Sequence, residues 1–298
     1  MNEIPVTTDE LKKLNPQVLP KLASDFSHSS FWQYTRLENA DLILSSGSFR
    51  VGSIIGMNDL DELTLHDSEK KRIFALCFCN SNTEKIPMWY LYSGLAGNGA
   101  AVGITPSKMM KWINSITEVF GVKHGESKDQ GTPLSIGKDV TLKWGWVYYQ
   151  KAQEKDHIMY RNKWYKVDDA DGFQKDNYFI KSYPWEYEKE FRLIFINNTN
   201  VEYEAIFVNI PQDILDSIKV RLAPELNAAG FQNYSGLKYI GSNKTPEYSK
   251  LAIRMNLLYR NRDSLLKYIG EELVKCDPAL EAGQVCSVIK SAGKCNNP

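Results

Sequence analysis

The chain has 298 residues, 36 basic and 36 acidic, with 43% hydrophobic and 24% charged side chains. Those proportions exclude a disordered chain, a collagen-like repeat and a coiled-coil rod, and the length allows about two domains of ordinary size. Zero net charge argues against global attraction to nucleic acid or membrane, and no run approaches the ~20 apolar residues of a membrane span. The first thirty residues hold Pro5, Pro16 and Pro20 and no signal-peptide pattern, so a cytoplasmic location is expected. Cysteines number five, an odd count, and the spacing of Cys276, Cys286 and Cys295 matches no zinc pattern. Reduced thiols are expected.

Taken in chain order, residues 1–30 read as a short helix from Asp9 to Leu14 and a proline-broken N-terminal arm. A strand is predicted around Phe31–Tyr34, then a helix from Leu37 to Leu44 that Gly47 stops, then a strand at Ser48–Val51. Ile73–Phe78 is a short buried strand with Cys77 and Cys79 on one face. Met88–Tyr92 reads as a helical turn started by Pro87, and Ala100–Ile104 as a strand. Met109–Phe120 is amphipathic. Residues 121–139 show no apolar period and read as a surface insertion, as does the charged segment 150–172. Trp144–Tyr149, Phe191–Ile196 and Ala205–Ile210 read as strands, and Asp213–Lys219 as a helical turn or two. From Pro246 onward the chain reads as helical, so residues 246–298 form an expected C-terminal extension to an α+β domain over 31–245.

The segment most loaded with chemistry is Tyr183-Pro-Trp-Glu-Tyr-Glu-Lys-Glu-Phe-Arg-Leu-Ile-Phe195. Read as one strand from Glu186, it puts Glu186, Glu188, Glu190 and Arg192 on one face, with Phe191, Leu193 and Phe195 on the core face. Such a row is either a surface strand relieved by Lys181, Lys189 and Arg192, or carboxylates that bind a hydroxyl, a cation or a developing positive charge. Asn58-Asp-Leu-Asp-Glu62 either caps a helix or contributes to a site. Trp89 and Tyr92 share a helix face, as core or as a stacking platform. Arg36 closes Trp32-Gln-Tyr-Thr-Arg36 immediately before a helix.

In this order these segments resemble a bacterial family, the domain of unknown function 2971, over roughly residues 31–225. The segments concerned are Trp32–Arg36, Asn58–Glu62, Cys77-Phe-Cys79, Met88–Tyr92 and Trp185–Leu193. Leu60 and Leu91 stand where that family has proline and histidine, and Thr35 stands at its arginine position. On a strand, Arg36 replaces that arginine only if the strand ends there.

The ordering is also similar to the ADP-ribosyltransferase fold. That likeness implies a mixed, mostly antiparallel sheet core with short helices, and NAD as substrate. It implies Glu190 as catalytic carboxylate with Glu188 its partner, and a pocket built by Tyr34, Arg36, Asn58, Asp59, Trp89 and Tyr92. Lys181 and Arg192 contact the substrate, and no metal is expected. Glu190→Gln is expected to abolish activity with the fold intact, because the site is read as a cleft. The absence of a Gly-rich phosphate loop fits this fold and disfavours a Rossmann or P-loop protein. The implied function is transfer of ADP-ribose to a nucleic acid or protein, or hydrolysis of NAD, in a toxin or antiphage effector with an antitoxin or defence partner. The alternatives are a metal-dependent nuclease using Asp59, Glu62, Glu188 and Glu190 with Lys181, or a non-enzymatic sensor or interaction module.

Overall fold

A computed structural model describes residues 3–14, 30–56, 67–81, 83–92, 99–174, 178–224, 240 and 246–249. Asn58, Asp59 and Glu62, the residues from 250 to 298 and the last three cysteines lie outside the described residues.

The strands follow the β-branched and aromatic runs of the sequence. They are β1 (Ile4–Val6), β2 (Phe31–Arg36), β3 (Ser48–Gly52), β4 (Ile73–Asn80), β5 (Gly99–Ile104) and β6 (Glu118–Val122). Next come β7 (Thr132–Ser135), β8 (Val140–Trp146), β9 (Tyr148–Gln150), β10 (His157–Tyr160) and β11 (Lys163–Val167). The last are β12 (Ile180–Ser182), β13 (Glu190–Asn197), β14 (Ala205–Asn209), β15 (Lys219–Leu222) and β16 (Glu247–Tyr248). The helices among the described residues are short, the longest being Leu37–Ser46 and Pro106–Ser115. The fold class is α+β, with mostly antiparallel sheets.

The chain divides into two compact units. The first draws on residues 1–31, 47–80 and 105–217. In it β13 lies between β4 and β8, antiparallel to both. Phe191, Leu193 and Phe195 have no exposed surface, and Phe31 and Trp146 pack their rings on Phe191. This is the core face expected of that strand. A second sheet runs β3-β14-β6-β7 and a third β1-β11-β10-β9-β12.

The other unit draws on residues 32–46, 81–104 and 218–298 and contains the order β16-β15-β5-β2. Its helix Leu37–Ser46 buries Leu37, Ala40, Ile43 and Leu44 at helical spacing. Past its end Gly47 takes a φ of +60°, which a side chain would disfavour.

Several elements differ from expectation. Residues 121–139 hold the end of β6, a 3₁₀ turn at Lys128–Gln130 and β7, paired from Glu118↔Ser135 to Gly121↔Thr132. Residues 150–172 hold the β10–β11 hairpin. Cross-strand pairing, which no local period reports, orders both. Trp144–Tyr149 is split at Val147 between β8 and β9, which belong to different sheets. The helical turn near Asp213 ends at Leu215, and Lys219 already opens β15. Pro246 starts no helix at once, because Glu247 and Tyr248 pair in parallel with Arg221 and Leu222.

Candidate functional site

Pro184 decides how the acidic segment folds. Proline has no N–H for a sheet ladder, and its fixed φ suits the first turn of a helix. Tyr183–Glu188 is accordingly a 3₁₀ helix with Pro184 in its first turn, not the start of a strand. Lys189 ends that helix with a φ of +46°, and β13 begins at Glu190. The expectation of three glutamates on one strand face is therefore corrected: only Glu190 and Arg192 share a face of β13.

That face is buried, not solvated. Glu188, Glu190, Arg192 and Lys181 are all at most 5% exposed. Arg192 grips Glu190 with two parallel bonds, Nε to Oε1 at 2.6 Å and Nη2 to Oε2 at 2.9 Å. The remaining Nη1 donates to the Tyr178 carbonyl at 3.1 Å. Lys181 Nζ donates to Glu188 Oε2 at 2.6 Å and reaches Glu190 Oε2 at 3.4 Å. It also sits 4.6 Å from the centre of the Trp185 ring.

Two carboxylates and two cations thus balance in a water-poor setting, where an unpaired charge would be costly. Burial alone would push the Glu190 carboxyl up. The Arg192 guanidinium and Lys181 ammonium reverse this and hold it well below the usual carboxylate range. Cys77, opposite Arg192 on β4, contributes a thiol bond to Glu190. Burial first, and the Glu190 charge second, push that thiol well up.

Beside this cluster is a cavity of about 220 Å³. Its lining includes Glu190, Glu186, Tyr149, Trp146, Lys189 and the Arg161–Asn162 turn. Tyr149 Oη accepts the Glu190 N–H at 2.8 Å, and Lys189 Nζ donates to Asn162 Oδ1 at 2.6 Å. Lys189 also pairs with Glu186. Among the described residues, the three non-glycine residues of positive φ are Arg161, Asn162 and Lys189. All three line this one cavity. Backbone strain gathered in one place is a pointer to function. The sequence reading missed this wall. Its available signal was the pair Arg161-Asn162 between two alternating runs, obscured because such turns usually carry Asn-Gly.

Of the remaining expected site residues, Tyr34, Arg36, Trp89 and Tyr92 belong to the other unit. Tyr34 meets Trp89 edge to face at 4.7 Å, and both are buried. Trp89 Nε1 donates to Glu84 Oε2 at 3.2 Å. Tyr92 ends the helix Ile86–Tyr92 and is half-buried. Arg36 is exposed at the last position of β2, with a helix starting at Leu37. Arg36 is thus still a residue of β2, on the face opposite Thr35, and does not take over the arginine position of the resemblance. Among the described residues no group of three or more His, Cys, Asp or Glu is arranged to hold a metal ion, and no helix is long and apolar enough to cross a membrane.

No family model matches the sequence. No curated protein matches it either. Among solved structures the chain is similar to Thermus sp. 2.9 DarT in complex with carba-NAD+, at 12% identity and a TM-score of 0.31, covering 75% of this chain and 95% of that one. It is similar to the same protein in complex with ADP-ribosylated ssDNA, at 10% identity and a TM-score of 0.29, covering 74% and 93%. For the complex with NAD+ the values are 11%, 0.29, 75% and 95%. Superpositions this loose carry no residue correspondences, and a functional reading rests on the chain's own residues.

Proposed function

We propose that this protein is an ADP-ribosyltransferase-like enzyme that takes the nicotinamide–ribose end of NAD into the cavity beside Glu190. The observation that carries the reading is one buried carboxylate, kept ionised by Arg192 and Lys181, at the first position of β13 and in the cavity wall. Breaking the bond between ribose and nicotinamide leaves an oxocarbenium-like sugar. A fixed anion in a water-poor site stabilises that charge without reorganising. The cavity, at about 220 Å³, is below the roughly 300 Å³ at which pockets for drug-sized ligands begin. It suits a ring and a sugar rather than a whole dinucleotide.

A carboxylate offers about four lone-pair directions. Arg192 takes two of those on Glu190 and the Cys77 thiol another, while Lys181 holds the fourth at 3.4 Å, the longest of the nitrogen contacts. In the enzyme reading a ribose hydroxyl displaces Lys181, which keeps its 2.6 Å bond to Glu188. Glu188 is then the partner that retains the cation. Transfer to nucleic acid, protein or water, and a role as toxin or antiphage effector in the cytoplasm, belong to the same proposal. So does a phosphate-binding role for Arg36: its exposure lets Arg36→Ala be tested without loss of packing, and unchanged NAD affinity would make it a surface residue.

The full engagement of Glu190 favours a second reading, a non-enzymatic module that keeps the cluster as a structural brace. Nicotinamide release from NAD separates the two. The wild-type protein should turn over NAD, and Glu190→Gln should lose on the order of 10²–10³ in rate. Because Glu190→Gln also strips two buried cations of a counter-charge, Glu190→Asp serves beside it, keeping the charge but withdrawing it by one methylene. Full activity in either folded variant ends the catalytic role of Glu190. Wild-type protein that neither binds nor cleaves NAD leaves the brace.

A further inference from the structure

We propose that Tyr149 positions Glu190 and donates its own hydroxyl proton to a sugar oxygen of the ligand in the cavity, a role that rests on the NAD reading. Tyr149 sits in the middle of β9, opposite Met159 of β10 on one side and Lys181 of β12 on the other. It is 4% exposed. Its oxygen accepts the backbone N–H of Glu190 at 2.8 Å, which pins the first residue of β13. A phenol oxygen also carries one proton to give. Among the described residues that proton has no acceptor, whereas buried polar groups are nearly always paired.

The same side chain lines the cavity together with Glu190, so the open position for its proton is the cavity itself. Burial, followed by the charges of Glu190 and Glu188, pushes the phenol well above its usual range. It stays a donor at every physiological pH. Tyr149 and Glu190 then line one cavity, the first as a donor and the second as an acceptor. That pair is complementary to neighbouring hydroxyls of a sugar, one accepting from Tyr149 and one donating to Glu190. The adjacent Tyr148, equally buried, differs in where its hydroxyl goes. Its hydroxyl donates to the Leu11 carbonyl at 3.0 Å, and its ring stacks on Tyr160. It is a packing residue and supplies a control.

The test is calorimetric titration with NAD and with ADP-ribose, followed by NAD turnover, on wild type, Tyr149→Phe and Tyr148→Phe. Tyr149→Phe keeps the ring and loses the oxygen. It should weaken ADP-ribose about five- to tenfold, the worth of one lost hydrogen bond. Its kcat should fall about tenfold or more, because Glu190 is no longer pinned. Tyr148→Phe should lower the melting temperature and leave ADP-ribose affinity and kcat unchanged. Unaltered ADP-ribose affinity and kcat in Tyr149→Phe would overturn the assignment while sparing the NAD reading. Equal losses in both variants would also overturn it, as general softening of the sheet. Wild-type protein that binds neither NAD nor ADP-ribose would overturn the NAD reading and this role with it.

Discussion

Arg192 holds both oxygens of Glu190 in a planar fork, with almost no exposed surface to soften the loss of either partner. Breaking one side of a buried pair costs roughly 3–5 kcal/mol, because the other charge stays behind in a poor solvent. Arg192→Met should therefore lower the unfolding free energy by about that much in urea titrations. Glu190→Gln should be costly for the same reason, since it leaves Arg192 and Lys181 facing each other. The expectation that Glu190→Gln would spare the fold came from reading the site as a cleft, whereas Glu190 is buried. The double variant Glu190→Gln/Arg192→Met should recover part of the sum, as coupled neighbours do. Strict additivity, or single losses below about 1 kcal/mol, would mean that water reaches the pair and that the cluster is not the closed unit described.

Turns and close approaches decide stability at the level of elements. Arg161 and Asn162 both have positive φ between the paired residues Tyr160 and Lys163, as a type I′ hairpin requires. Arginine is a poor occupant of that conformation and asparagine a tolerated one. Arg161→Asn should raise the unfolding free energy by about 1 kcal/mol, read as a higher urea midpoint at unchanged slope; a lower midpoint would refute the strain argument. In the other unit, Gly103 of β5 lies under the Trp32 ring, where an added Cβ would stand 2.5 Å from a ring carbon. Gly103→Ala should cost roughly 1–3 kcal/mol by overpacking, since Arg221 covers the same ring at 4.1 Å. These features mark the border of what the sequence discloses. The elements read as Leu37–Leu44, Ile73–Phe78 and Phe191–Ile196 were legible because their apolar period is local and their stop signals, such as Gly47, are local too. Glu190 stood out because like charges crowd Glu186–Glu190, and the structure places it in a buried ion cluster. The segments 121–139 and 150–172 were not legible, because their order comes from partners distant in sequence. Tyr149 was invisible for a related reason. One tyrosine among sixteen becomes distinctive only when β13 brings the Glu190 N–H against it.

At the scale of the whole molecule, the same cluster is expected to contribute at both edges of the pH range of stability. The Glu190 carboxyl is held below its ordinary value of 4.5. A group depressed on folding contributes stability that is present above the unfolded value and is lost as pH falls through the folded one. The acid loss should therefore begin near pH 4.5 and continue well below it. Asp156, Glu204 and Asp213 are depressed in the same direction by hydrogen bonds from His157, His124 and Lys111 respectively. They are solvated, so screening leaves them little weight. On the alkaline side, burial raises the Cys77 thiol from 9.0 and the Tyr149 phenol from 10.0. A group whose neutral form is favoured on folding contributes stability that is present below its unfolded value and is lost as pH rises past it. Urea midpoints measured from about pH 3 to about pH 11 should show a plateau from roughly pH 5 to 9, with a loss on each side. Cys77→Ala should shrink the alkaline loss without abolishing it, since Tyr149 still titrates. Added salt at about 0.5 M should leave the depth of the acid loss nearly unchanged, because buried pairs are screened far less than surface ones. An acid loss that salt abolishes would assign it to the exposed carboxylates, and an alkaline edge indifferent to both Cys77→Ala and Tyr149→Phe would detach it from this cluster.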